Sequence, residues 1–127
     1  MNQSARVSLK QTAVPSTASA FRAELRLFLS QLAGDARWQD DVLTAVGEAV
    51  ANAVEHAYDP KHPGEVSLVA KNERDALVVE IRDSGRFQVR GRTPGRGHGL
   101  NIMHAIADSV SIDKSGGTRI RLTFRRR

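Results

Sequence analysis

The chain has 127 residues, 40% of them hydrophobic, which suits one packed core and excludes both a disordered chain and a membrane-embedded one. It contains no cysteine, so disulfides, thiolate metal sites and cysteine nucleophiles are excluded as well. The formal charge of +5, carried mostly by arginine, raises a polyanionic ligand, while no apolar stretch approaches the roughly 18 residues of a membrane span. Residues 1–6 lack the apolar core of a secretion signal, so the expectation is a single cytoplasmic domain over residues 1–127 with no membrane partner.

Residues 5–10 alternate polar and apolar side chains and predict a short strand. Pro15, Ser16 and Thr17 then mark a helix start, and Phe21, Leu25, Phe28, Leu29 and Leu32 recur at helical spacing until Gly34. A second helix is predicted from about residue 40 to residue 58, ahead of Asp59-Pro60, with Val42, Val46, Val50, Ala53 and Ala57 as its apolar stripe. Residues 65–70 and 76–82 are rich in β-branched side chains and predict two strands joined by the turn Asn72-Glu73-Arg74-Asp75. A glycine-rich loop spans 85–99, after which Leu100, Met103, Ile106 and Val110 predict a third helix. Gly116-Gly117 is a turn into a last strand, in which Ile120, Leu122 and Phe124 alternate with Arg119, Arg121 and Thr123. Such alternation means a sheet packed on one face and partly wet on the other. The expected architecture is a two-layer α/β sandwich, with a mixed, mostly antiparallel sheet and helices on one face.

Three segments carry candidate chemistry. On the second helix, Glu48, Asn52 and His56 follow at intervals of four and share a face, set here opposite the valine stripe. That face is either the solvated side of an amphipathic helix or a site. Small neighbours (Gly47, Ala49, Ala51, Ala53) leave room for a ligand, and a carboxylate one turn from a carboxamide suits magnesium with a nearby general base. Asp83 ends a strand and precedes Gly85. This is either an ordinary turn, or a carboxylate accepting from an exocyclic amine while Gly85 admits a flat ring close to the backbone. Gly95, Gly97 and Gly99 run into the third helix, where freed backbone amides make an anion site; a plain surface loop is the alternative. Arg82, Arg86, Arg90, Arg92 and Arg96 surround these glycines with Asp83 as their single acid, which favours a bound polyphosphate. Neither a Walker lysine nor dinucleotide spacing is present. Gly116-Gly117-Thr118 alone signals a hairpin, and Arg125, Arg126 and Arg127 are equally open to a solvated or a binding role.

Taken in order, an E-x-x-x-N helix, a D-x-G turn, a glycine-rich lid entering a helix and a late G-T strand resemble the GHKL superfamily of ATP-binding proteins over roughly residues 40–125. The run from Glu48 to Tyr58, the Gly-Leu-x-Ile-Met run at 99–103 and Asp108 in the helix after the lid look most like the short anti-sigma serine kinases of the RsbW type. The resemblance implies the Bergerat ATP-binding fold with ATP and magnesium as cofactors. It implies Glu48 as general base and Asn52 as magnesium ligand. Asp83 would hold the adenine amine and Gly85 would line the base pocket. Gly95, Arg96, Gly97 and Gly99 would contact phosphates, and Thr118 would help hold the nucleotide. It further implies a serine/threonine protein kinase that phosphorylates a STAS-type anti-anti-sigma protein, sequesters a sigma factor and forms a homodimer. The alternative is a partner-switching module that binds ATP or ADP with little turnover, because the same residues serve both. Nucleic-acid binding through the arginines is disfavoured by the shortage of aromatic side chains.

Overall fold

Among the described residues, alternating apolar positions build five strands: β1 (Arg6–Thr12), β2 (Glu65–Asn72), β3 (Ala76–Asp83), β4 (Ser109–Asp113) and β5 (Thr118–Arg125). A computed structural model of the protein describes residues 5–57, 59, 61–85 and 98–126. The strands form one sheet in the order β1-β2-β3-β5-β4, and all four pairings are antiparallel. On its inner face Val66, Leu68, Leu77, Val79, Ile81, Ile120, Leu122 and Phe124 are buried. Three helices cover that face: α1 (Thr17–Leu29), α2 (Ala36–His56) and α3 (His98–Ile106). The central helix, α2, lies over β2, β3 and β5 and packs against α1 on one side and α3 on the other. It contributes Val42, Val46, Ala49, Val50 and Ala53 to the core, joined by Phe21, Leu25 and Leu29 of α1 and Met103 of α3. The two-layer sandwich expected from the alternation is therefore the architecture found. Among the described residues, no helix is long and apolar enough to cross a membrane.

Several boundaries differ from the sequence expectation, each for a local reason. Helix α1 ends at Leu29 because the chain then tightens, with Gln31 and Leu32 donating to carbonyls three residues back, at 3.2 and 3.0 Å. Helix α2 starts four residues earlier than expected, since extended Asp35 caps it by accepting from the Trp38 amide at 2.7 Å. It ends at His56, and Tyr58 lies outside the described residues. Helix α3 stops at Ile106, and Val110 belongs to β4 rather than to the helix. Val110 stands four residues after Ile106 and so mimics a further helical turn, but Val110 and Ile112 alternate with serines as a strand does. Asp108 likewise lies between α3 and β4 and not in the helix.

The end of β5 is clamped from three sides. The indole of Trp38 donates to the Arg125 carbonyl at 2.7 Å, and the Asp108 carboxylate accepts from the Arg125 amide at 2.6 Å. The Arg126 guanidinium donates to the Asn72 side chain and to the Glu73 carbonyl in the β2–β3 turn, and lies 6.0 Å from the centroid of the Trp38 ring. Arg126 is thus a structural residue, the Arg125 side chain is exposed, and Arg127 lies outside the described residues. Arg126→Ala is expected to cost about 1–3 kcal/mol, from two hydrogen bonds and the contact with the indole. Arg125→Ala should stay within about 0.5 kcal/mol of wild type. Urea denaturation of both variants checks this, and equal midpoints would contradict the clamp.

Candidate functional site

The alternation that buries Leu77, Val79 and Ile81 continues by one step to Asp83, so the inner face of β3 ends in a carboxylate. The register puts Asp83 opposite Val66 on one side and Thr118 on the other. Thr118 in turn ends the inner row Phe124, Leu122, Ile120 of β5. A carboxylate and a hydroxyl therefore occupy positions that the strand period assigns to core residues, at the rim between sheet and helices. Asp83 Oδ1 accepts from the Gly85 amide at 3.1 Å, which closes a tight turn and brings Gly85 beside it. Burial pushes the Asp83 carboxyl above its ordinary value, partly offset by the backbone N–H groups of Gly85 and Thr118.

Gly117, read in the sequence only as part of a turn, makes this arrangement possible. Its φ is +106°, and a Cβ there would fall 2.1 Å from the Asp83 carbonyl oxygen and 2.8 Å from Ser84 Cα. Only glycine lets β5 begin flush against the end of β3. The double glycine ahead of Thr118 was the available signal.

Glu48 and Asn52 are half-buried, whereas Asp41, Thr44 and Glu55 on the same helix are exposed. The acid–amide row is thus less exposed than the rest of the helix's polar face, with Asn52 toward one flank of the buried stripe. Gly47 identifies which flank. A Cβ on Gly47 would meet Arg22 of α1 at 2.7 Å, so the Gly47 side of α2 faces α1. Asn52 follows five residues later, about 140° around the helix, which turns it toward the α3 side. Among the described residues neither Glu48 nor Asn52 has a side-chain hydrogen bond or ion pair. An acid and an amide whose polar atoms are uncommitted, on a rigid helix, fit a magnesium–phosphate ligand set.

Two groups emerge. Asp83, Gly85 and Thr118 meet at one end of β3 and β5; Glu48 and Asn52 share a face of α2, which lies over those strands. Gly99 falls in the first turn of α3, while Gly95, Arg96 and Gly97 lie outside the described residues.

Residues 11–124 match the family model described as a histidine kinase-like ATPase domain. Among curated proteins, the chain is 31% identical over 129 residues to the anti-sigma F factor of Bacillus subtilis (strain 168), covering 91% of this chain and 88% of that protein. It is 30% identical over 100 residues to the serine-protein kinase RsbW of Bacillus velezensis, covering 66% of this chain and 62% of that protein. Among solved structures, its fold is similar to that of the RsbU and RsbW domains of Rv1364c from Mycobacterium tuberculosis. The TM-score is 0.77 at 24% identity, over 96% of this chain and 32% of that longer one.

The raised Asp83 pKa has a measurable consequence. Above both its folded and unfolded values the carboxylate is charged in each state, and the burial penalty on the folded state is fully present. As pH falls through the raised folded value toward the unfolded one, protonation removes that penalty. Asp83→Asn is therefore expected to stabilise the protein at neutral pH, with the gain shrinking as pH falls through the raised value and largely gone below roughly pH 4. Urea midpoints at neutral pH and near ~pH 3.5 test this. A variant no more stable than wild type at neutral pH would contradict the burial of Asp83.

Proposed function

The chain belongs to the histidine kinase-like ATPase domain family, and on that premise we propose that it is an ATP-dependent serine/threonine kinase of a partner-switching pair. In this role it phosphorylates a STAS-type anti-anti-sigma protein and, before doing so, holds a sigma factor inactive as a homodimer in the cytoplasm. The observation that carries the proposal is the likeness to an anti-sigma F factor over nine-tenths of the chain. The pairing of Asp83 with Thr118, at one end of strands that pack against α2, supports a nucleotide site.

Each residue has a distinct task. The Asp83 carboxylate accepts from the adenine amine, Gly85 leaves the ring plane open to the backbone, and Thr118 supports the base from β5. Asn52 offers its carbonyl oxygen to magnesium, which would neutralise phosphate charge when bound. Gly95, Arg96, Gly97 and Gly99 approach the phosphates from the segment leading into α3. Glu48 orients the partner's hydroxyl and accepts its proton as the oxygen bonds to the γ-phosphorus of ATP. The bond from that phosphorus to the bridging oxygen breaks, and ADP departs. Positioning and charge neutralisation supply most of the rate in such a transfer.

Two substitutions one turn apart separate binding from chemistry. Glu48→Gln is expected to keep ATP affinity within a few-fold while lowering phosphate transfer to the STAS partner by roughly 10²-fold or more. Asn52→Ala is expected to weaken magnesium-dependent ATP binding itself. Labelled ATP and candidate STAS partners give the transfer rate, and calorimetry gives the affinity. Transfer by Glu48→Gln at the wild-type rate would remove Glu48 as the base. A wild type that binds ATP and a sigma factor but transfers to no STAS partner would show a binding module without turnover.

A further inference from the structure

Among the described residues nothing covers the sheet face turned away from the helices, and its charge is arranged in an unusual way. Every second residue points outward there, including Arg6 and Lys10 of β1, Lys71 of β2, Arg82 of β3, and Arg119 and Arg121 of β5. The register sets Arg6 directly opposite Lys71, and Arg82 directly opposite Arg119. Like charges facing each other across a strand pair are destabilising, so folding alone does not favour this pattern. Glu80 lies 3.0 Å from Arg82 Nε and 4.0 Å from Arg121 Nε, and Asp113 lies 3.2 Å from Arg119. Arg6, Lys10 and Lys71 form no ion pair among the described residues. These cations border a groove of about 450 Å³ whose floor includes Val69 and Val78, and Glu80 is the one acid in its described lining.

We propose that this face docks an acidic protein segment, which places aliphatic side chains on Val69 and Val78 and carboxylates on the flanking lysines and arginines. The apolar strip at the centre matches a peptide with alternating acidic and aliphatic residues better than it matches a phosphate backbone. No aromatic side chain is among the groove's described lining residues to stack on bases. A second copy bound through the same face would set these cations against each other. The surface is separate from the nucleotide site, although both use β3 and β5. Asp83 and Thr118 face the helices, whereas their chain neighbours Arg82 and Arg119 face outward.

The test uses a fluorescein-labelled peptide of alternating glutamate and valine, titrated with the full chain and followed by fluorescence anisotropy. Binding is expected at low salt, weakening as ionic strength rises. The double variant Lys10→Glu/Lys71→Glu should lose at least about tenfold in affinity, with unchanged ATP affinity and urea midpoint. Should that variant fold poorly, Lys10→Gln/Lys71→Gln should still lose several-fold. Retained ATP binding in either variant distinguishes loss of this surface from loss of the nucleotide site. The proposal is overturned if the peptide does not bind or binds the variants equally well. It is also overturned if duplex DNA of matched charge binds at least as tightly. Sedimentation showing self-association that the variants abolish would assign the face to a second copy instead.

Discussion

Side chains on a strand alternate in direction, so pairing Ile81 with Ile120 in the core forces Asp83 and Thr118 to meet two residues later on the same face. A slip of one residue between β3 and β5 that kept β5 in place would turn Asp83 outward and expose Leu77, Val79 and Ile81 with it. The register is therefore held by the same hydrophobic burial that stabilises the domain. Gly117 contributes the other half of the constraint, since any side chain there would collide with the backbone at Asp83 and Ser84. The carboxylate is positioned by packing on one side and by backbone approach on the other, and it does not depend on a flexible side-chain network.

That placement has a cost. A carboxylate at a position suited to an apolar residue loses hydration, and its raised pKa records the loss. Glu48 and Asn52 show a related compromise. Both are half-buried on α2 with no polar partner among the described residues, whereas Asp41, Thr44 and Glu55 on that helix are exposed. Polar groups at the rim of a core, on a helix and a strand pair that pack together, suit a ligand with an amine at one end and phosphates at the other.

Much of the architecture was legible in the residues because burial on this sheet follows a strict alternation. The rows Val66–Leu68–Ala70, Leu77–Val79–Ile81 and Ile120–Leu122–Phe124 declare both their strands and their inner face. The spacing of Glu48 and Asn52, and the turn at Asp83 and Gly85, likewise showed where to look. What the spacing could not reveal was tertiary. Val110 continues a helical interval by coincidence, so β4 was read as part of α3. Asp35 caps α2 through a hydrogen bond that no periodicity records, and Arg126 was open to a solvated or a binding role until its partners in the β2–β3 turn were in place. The flank position of Asn52 depends on where α1 lies, which only the contact between Gly47 and Arg22 reveals.

The central claim is that Asp83, held against Thr118 at the end of the inner face, reads the base of a bound adenine nucleotide. Adenine offers an amine to that carboxylate, whereas guanine presents a carbonyl oxygen at the same edge and leaves two acceptors facing each other. A mismatched buried acceptor costs on the order of 1–3 kcal/mol, so ATP is expected to bind at least about tenfold more tightly than GTP. Calorimetric titration of the chain with each nucleotide in the presence of magnesium measures this difference directly. A clear preference for ATP is the expected result, and equal affinities for ATP and GTP would contradict the assignment of Asp83 to the base.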